Sequence, residues 1–203
     1  MGDLLDCGLK ESPGASVYSN KMSPGEQIKE IVKILYPIRK QILSSVMGNH
    51  ELRVLKSSGI FVNDIICDSL EINNGRAQAI NNIKIGKEIY PIFTFHGRAN
   101  GTTTESRVNQ YKKMLEQVEA ELYLFGHVHD LHLRVFAKRM YKNNVLQTIK
   151  KYMIFCGNFL NYDDGYGEMY GYPVMEKGCP LIKLYPNKHK IEVDLEWWKN
   201  EYK

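Results

Sequence analysis

The stretch Ile42-Leu43-Ser44-Ser45-Val46-Met47-Gly48-Asn49-His50-Glu51 joins a short apolar run to a tight polar cluster. Residues 42–47 predict a β-strand, and the cluster Gly48-Asn49-His50-Glu51 follows directly where that strand ends. In open α/β sheets, ligands bind in the crevice beyond the carboxyl ends of the strands. The stretch therefore predicts an α/β protein whose functional side chains lie on the loops that follow its strands.

One helix is predicted before this stretch and another after it. Ser23 can cap the first helix, Pro24 suits its first position and Glu26 completes a capping box. Apolar residues then recur every three or four positions, which is typical of a helix lying on a sheet, and Pro37 is expected to kink or end it; this stripe comprises Ile28, Ile31, Val32, Leu35, Ile38 and Ile42. A second helix is predicted after residues 102–105, with a buried side formed by Val108, Tyr111, Leu115 and Val118.

Eight short β-rich runs accompany these helices. They cover residues 42–47, 83–85, 89–95, 121–125, 131–140, 145–156, 181–185 and 190–195. Helices alternate with strands in the first two thirds of the chain, whereas strands follow strands in the last third. This order predicts an α/β fold with a mixed sheet and a second sheet packed against it.

The length and composition of the chain are those of a single globular domain. The chain has 203 residues, of which 43% are hydrophobic and 25% charged, so we expect a single domain spanning 1–203. The net charge of +4 comes without a dense Lys/Arg block, which is too weak to predict nucleic acid as the partner.

The expected location is the cytoplasm. Cys7, Cys67, Cys156 and Cys179 form no CxxC pair, which argues against a zinc ribbon and a disulfide scaffold and favours reduced thiols. No run of about 18 apolar residues is present and the first residues are acidic rather than basic, so no membrane association and no secretion are predicted.

Four of the six histidines stand in polar clusters at strand ends. His50 follows the strand predicted at 42–47. His96 follows a second predicted strand in Phe95-His96-Gly97, and His127 and His129 follow a third in Gly126-His127-Val128-His129. Gly2-Asp3-Leu4-Leu5-Asp6 adds carboxylates. Imidazole, amide oxygen and carboxylate together suit Mn, Fe or Zn, whereas the lack of paired thiolates argues against a structural zinc site. His132 and His189 are interpreted as hydrogen-bonded loop residues.

Taken in order, these motifs resemble the signature of the calcineurin-like metallophosphoesterases. The matching strings are Gly-Asp-x-x-Asp at 2–6, Gly-Asn-His-Glu at 48–51, His-Gly at 96–97 and Gly-His-x-His at 126–129. A specified four-residue string occurs by chance in a chain of this length about once in a thousand. The resemblance implies a two-sheet β sandwich flanked by helices, a four-layer α/β/β/α architecture, which holds two divalent metal ions at its strand ends.

The resemblance also implies roles for the matched residues. The metal ligands would be Asp3, Asn49, His96, His127 and His129. Asp3 would bridge the two ions. Asn49, His96 and His127 would complete the ligands of one ion, and His129 would bind the other. His50 would act as the catalytic residue that protonates the leaving group, and Asp6 would orient its neighbours by hydrogen bonds.

In this sequence, the family's opening Asp-x-His motif is missing, because Met1 directly precedes Gly2-Asp3. One metal would keep four ligands, whereas the other would keep only Asp3 and His129, so one site is expected to be empty in this chain. We expect a fold truncated at its N-terminus, from a longer enzyme. The alternatives are a degenerate relative that binds one metal or a partner without catalysis, and strands supplied by another chain.

The predicted function is metal-dependent hydrolysis of phosphomonoesters or phosphodiesters, with nucleotides and nucleic-acid ends as the leading substrates. Two cations about 3.5–4 Å apart would neutralise the phosphate oxygens and acidify a water, with manganese the favoured metal. Arg98 and Asn100 follow His96-Gly97 and are candidates for contacting the phosphate. The tyrosine-rich stretch 161–173 is interpreted as a glycine-jointed loop. The alternative function is a non-catalytic metal-binding or interaction module with the same fold.

Overall fold

The computed structural model describes residues 1–10, 12, 20–98, 101–142, 144–160, 162–163, 166–169 and 171–201. It has the mixed α/β composition that the sequence predicts. The chain forms two compact units: unit 1 contains Met1–Ala79 and Thr94–Gly97, and unit 2 contains Ile80–Phe93 and Arg98–Lys203. The single domain over 1–203 stays a prediction.

The helices are α1 Pro24–Leu35, α2 Asn49–Ser58, α3 Val62–Leu70, α4 Thr104–Lys112, α5 Met114–Gln117, α6 Tyr166–Met169 and α7 Trp197–Glu201, with a 3₁₀ segment at Tyr36–Gln41. The strands are β1 Ser44–Ser45, β2 Asn73–Asn74, β3 Gln78–Ile85, β4 Glu88–Phe95, β5 Leu122–Phe125, β6 Leu131–Lys142, β7 Val145–Cys156, β8 Leu181–Leu184 and β9 Ile191–Asp194. None of the helices in these described ranges is both long and apolar enough to cross a bilayer.

In unit 1, helix α1 begins as the sequence predicts. The Ser23 hydroxyl accepts a hydrogen bond from the Glu26 amide, and the Glu26 carboxylate accepts one from the Ser23 amide at 2.8 Å, so the capping box is confirmed. The first four apolar residues of the predicted stripe pack against a buried cluster on α2, α3 and the N-terminal segment. The main partner of α1 is α3, so the predicted packing on a sheet is wrong.

The expected effect of Pro37 is confirmed, because the α-helix ends just before it. The predicted continuation of the apolar stripe through Ile38 is wrong. The chain continues as a 3₁₀ segment with three residues per turn, which rotates Ile38 away from the cluster and leaves it 45% exposed. The predicted strand at 42–47 is reduced to Ser44–Ser45, which pairs in parallel with Asn73–Asn74. Helices α2 and α3 were not predicted; both are short, and α2 is mostly polar.

A five-stranded mixed sheet in the order β3-β4-β5-β7-β6 belongs mainly to unit 2. Strands β5 and β7 are parallel, and β6 and β7 form a long antiparallel hairpin. The small antiparallel sheet of β8 and β9 packs its apolar side chains against Ile92, Leu122 and Ile154 of the large sheet. Six of the predicted strands, those from 89–95 to 190–195, are confirmed with small shifts at their ends. The strand predicted at 83–85 is also present, but it begins five residues earlier, at Gln78.

The predicted buried side of the second helix is confirmed in α4 and α5. Val108, Tyr111 and Leu115 are buried, and the Tyr111 ring stacks on Phe125 with 4.3 Å between ring centroids. The helix is interrupted at Lys113, so Val118 follows α5 rather than extending it. All four cysteines are free thiols, as predicted.

The turn between β8 and β9 is fixed by Tyr90 and His189. The Tyr90 hydroxyl donates to the Tyr185 carbonyl at 2.7 Å, and the His189 ring stacks on the Tyr90 ring at 4.6 Å. His189 Nδ1 lies 2.9 Å from Glu88 and Nε2 lies 2.6 Å from Glu121. Because ionised carboxylates only accept hydrogen bonds, both ring nitrogens must carry a proton. Burial alone would lower the pKa of His189, but the two carboxylates raise it above its ordinary value.

This cluster predicts a pH-dependent stability. Because the pKa of His189 is higher in the folded chain, its contribution is complete below about pH 6.5 and is lost as the pH rises through the folded value. We expect His189→Asn to reduce the free energy of unfolding more at about pH 6 than at about pH 9, measured by urea denaturation. Lys188→Asn in the same turn is the control and should show no such difference. An equal loss for His189→Asn at both pH values would contradict the imidazolium assignment.

Candidate metal centre

The candidate site in unit 1 is assembled by the buried side chain of Glu51. Glu51 is 1% exposed, and its carboxylate accepts hydrogen bonds from the amides of Asp3 at 3.0 Å, Leu5 at 3.1 Å and Gly48 at 2.8 Å. One carboxylate therefore holds the N-terminal segment against the start of α2. Sequence reasoning did not identify this residue, although its position three residues after Gly48 is the capping-box position.

Two motif glycines allow the segments to approach each other closely. Gly2 has a left-handed backbone with φ 78°, and a Cβ added there would lie 2.7 Å from both the Gly48 amide nitrogen and His96 Nδ1. A Cβ on Gly48 would overlap the backbone nitrogen and Oδ1 of Asp3. Glycine is therefore required at both positions, because the neighbouring atoms leave no room for a side chain.

The side chains of Asp3 and Asn49 each bring an oxygen atom close to Nε2 of His96. His96 Nε2 lies 3.0 Å from Asn49 Oδ1 and 3.2 Å from Asp3 Oδ2. His96 Nδ1 lies 2.8 Å from the Met1 carbonyl oxygen, which can only accept, so Nδ1 carries the proton. In the neutral ring, Nε2 then presents a lone pair to two oxygen atoms. These three atoms are therefore candidate ligands for a divalent metal ion.

The two separations from His96 Nε2 are those expected between neighbouring ligands of a divalent metal. Ligand atoms about 2.1 Å from an octahedral ion lie about 3 Å apart at adjacent positions, which agrees with the 3.0 and 3.2 Å separations. The Met1 carbonyl fixes the tautomer of His96, as hydrogen-bonded partners of metal-binding histidines usually do. His96 is only 4% exposed, so water does not compete freely for Nε2.

The carboxyl group of Asp3 is ionised at neutral pH. Burial alone would raise its pKa, but the hydrogen bond and charge that His96 provides when its ring is protonated, together with the His50 amide, lower the pKa to about 2. The His50 amide donates to Asp3 Oδ1 at 3.0 Å, which leaves Oδ2 directed toward His96. Oδ2 of Asp3 is therefore a charged oxygen atom, as its predicted role as a metal ligand requires.

His50 lies between two carboxylates. Its Nε2 is 3.8 Å from Asp3 Oδ2 and its Nδ1 is 3.4 Å from Asp6 Oδ1. Burial alone would lower the pKa of His50, but the hydrogen bond with Asp6 and the charge of Asp3 raise it; the same hydrogen bond lowers the pKa of Asp6. Asn20 Nδ2 donates to the other oxygen of Asp6 at 2.6 Å. Asp6 thus orients His50, and Asn20 orients Asp6, a residue that sequence reasoning missed.

In unit 2, the predicted ligands His127 and His129 follow β5 on a turn that side-chain hydrogen bonds stabilise. The Asn158 amide group donates to the His129 carbonyl at 2.7 Å, and the Thr104 hydroxyl donates to the next residue, Asp130, at 2.6 Å. Arg107 Nη1 lies 3.5 Å from the same Asp130 oxygen. The turn is therefore held in place from α4 and from the segment after β7. The participation of His127 and His129 in a metal centre stays a prediction.

Three of the five predicted ligands have a left-handed backbone. The φ angles are 50° for Asp3, 64° for His127 and 54° for His129. Residues other than glycine adopt this conformation at a cost, and such residues concentrate at functional sites. Of the residues proposed to contact phosphate, Arg98 is exposed, and Asn100 lies outside the described residues.

No protein-family model, no curated protein and no solved structure matches this chain. The ordered motifs and the geometry of the site are therefore the observations that bear on function.

The role of Glu51 predicts a large effect on stability. Glu51→Gln replaces one acceptor oxygen with a donor, and each buried N–H left without an acceptor costs about 1–3 kcal/mol. We expect the free energy of unfolding to fall by about 2 kcal/mol or more, measured by urea denaturation. Glu116→Gln on the exposed surface of α5 is the matched control, with an expected change within about 0.5 kcal/mol. Similar values for the two variants would show that Glu51 does not hold the site together.

Proposed function

We propose that this chain is a metal-dependent phosphoester hydrolase that acts on phosphomonoesters or phosphodiesters, with nucleotides and nucleic-acid ends as the leading substrates. The single observation that carries the proposal is the convergence of Asp3 Oδ2, Asn49 Oδ1 and His96 Nε2. The order of the four motifs supplies the class of reaction. In this proposal the α/β architecture is the four-layer sandwich that the motifs imply.

The residues that would hold the first divalent ion are Asp3, Asn49 and His96, with His127 as the fourth ligand that the motif implies. Asp3 and His129 are the ligands available for a second ion. Bound divalent cations would neutralise phosphate oxygens and acidify a water molecule. The mixed oxygen and nitrogen donors suit Mn, which we favour, and also Fe and Zn.

His50 is the proposed general acid. Its raised pKa favours the protonated ring, which is the state that a proton donor needs. Nδ1 faces Asp6, so Nε2 is the nitrogen available to give a proton to the departing oxygen of the ester. Asp6 holds the ring in this orientation, and Asn20 holds Asp6.

The activity is tested with Mn²⁺ and two chromogenic substrates, p-nitrophenyl phosphate and bis-p-nitrophenyl phosphate. We expect hydrolysis of at least one of them that is abolished by EDTA and restored by Mn²⁺. Tight Mn²⁺ binding by calorimetry without hydrolysis of either ester would contradict the enzyme and support the non-catalytic metal-binding module.

The position of His50 predicts that it serves catalysis rather than metal binding. We expect His50→Ala to keep the Mn²⁺ stoichiometry of the unchanged chain and to lose turnover by about a hundredfold. The loss should be larger for phenyl esters than for p-nitrophenyl esters, because p-nitrophenolate leaves without a proton. His132→Ala in unit 2 is the control and should retain turnover. Full metal content with unchanged turnover of phenyl esters would exclude the role of His50.

The contact between Gly48 and Asp3 predicts a loss of metal affinity. In Gly48→Ala the new methyl group displaces Asp3, so we expect Mn²⁺ affinity to fall by at least about tenfold, as for loss of one oriented ligand. Gly25→Ala in α1 is the matched control, because a Cβ there meets no atom within 4 Å. If Gly48→Ala does not fold, Asp3→Asn replaces it. An affinity unchanged in both variants would show that Asp3 is not a ligand.

A further inference from the structure

The hairpin of β6 and β7 brings together basic side chains that are dispersed in the sequence. Its 26 residues, 131–156, contain no aspartate or glutamate. They contain six basic residues, Arg134, Lys138, Arg139, Lys142, Lys150 and Lys151. Because these stand in separate groups along the chain, the sequence shows no dense basic block. The antiparallel register brings the groups onto one structural element.

Not all of these cations are available to a ligand. Lys151 is 2% exposed, and its ammonium group donates to the Leu115 carbonyl at 2.6 Å and to the Tyr123 hydroxyl at 2.9 Å. Arg134 lies 3.7 Å from Glu105 of α4. These two side chains therefore belong to the base of the hairpin, where it packs against the rest of unit 2.

The distal half of the hairpin presents cations and an aromatic ring on one face. Successive residues of a strand point to opposite sides, and paired residues point to the same side. Arg139 and Tyr141 of β6 share a face with Lys150 and Leu146 of β7, because Ala137 pairs with Lys150 and Tyr141 pairs with Leu146. We call Arg139, Tyr141, Leu146 and Lys150 the basic face.

The basic face is open. Arg139 and Lys150 are exposed, and among the described residues neither has an acidic partner within 4.0 Å. Tyr141 is 72% exposed and Leu146 is 50% exposed. Strand β6 is also the edge strand of the sheet. A surface with uncompensated positive charge beside an exposed aromatic ring suits an anionic partner.

We propose that the basic face binds single-stranded nucleic acid. The two cations are diagonal neighbours in the antiparallel register, about 5–8 Å apart at their Cβ atoms, so they can contact successive phosphates. Tyr141 lies two residues beyond Arg139, and its exposed ring is available for stacking on an unpaired base, which duplex DNA does not offer. Cations that follow a phosphate backbone beside aromatic stacking platforms are the usual basis of single-strand binding.

The test is fluorescence anisotropy with labelled oligodeoxynucleotides of about 20 nucleotides, using the full chain in EDTA. Because EDTA removes divalent ions, the result does not depend on the proposed hydrolase. We expect Arg139→Glu/Lys150→Glu to weaken binding by at least about tenfold and to reduce the salt slope by about 1.4, the value for two lost single-strand phosphate contacts. Tyr141→Ala should weaken binding severalfold and leave the salt slope unchanged.

The matched control is Lys29→Glu/Lys33→Glu, which reverses two exposed lysines on α1 and should retain binding. If the hairpin variant is unfolded by circular dichroism, Arg139→Gln/Lys150→Gln takes its place. Equal losses in the hairpin and control variants, or no binding by the unchanged chain, would overturn the proposal. Binding to phosphatidylserine vesicles without binding to the oligonucleotide would also overturn it and assign the face to membranes.

Discussion

The carboxylate of Glu51 is the constraint on which the candidate site depends. It is buried and accepts three backbone amides, one from the start of α2 and two from the N-terminal segment. Burying a carboxylate costs free energy unless the group is fully hydrogen-bonded. The three hydrogen bonds offset this cost and position Asp3. With Asp3 fixed, Gly2 and Gly48 must lack side chains. The short polar strings of the sequence are thus parts of one packed unit.

The chemistry of the site follows from proton positions. The Met1 carbonyl requires the proton of His96 on Nδ1, which directs Nε2 to the oxygens of Asp3 and Asn49. Oxygen and nitrogen atoms brought together in this way suit a divalent metal ion. His50 stands beside Asp3, oriented by Asp6. The predicted metal ligands and the proposed proton donor therefore lie side by side, which is the basis of the proposed phosphoester hydrolysis.

The sequence predicts much of the fold and part of the site. Ser23 and Glu26 predict the start of α1 correctly because capping is a local interaction, and apolar runs predict most strands of unit 2. Ile38 was misplaced because Pro37 changes the helix type. The role of Glu51 was missed because its partner Leu5 lies 46 residues away in sequence, and Asn20 was missed because it belongs to no motif. The basic face of the hairpin was missed because only strand register joins Arg139 to Lys150.

Anomalous diffraction from crystals of this chain grown with Mn²⁺ tests the central claim most directly. The account predicts an anomalous peak about 2.1–2.3 Å from Asp3 Oδ2, Asn49 Oδ1 and His96 Nε2. A map with these three atoms ordered and no anomalous density among them, or a manganese ion bound only at other residues, would contradict it.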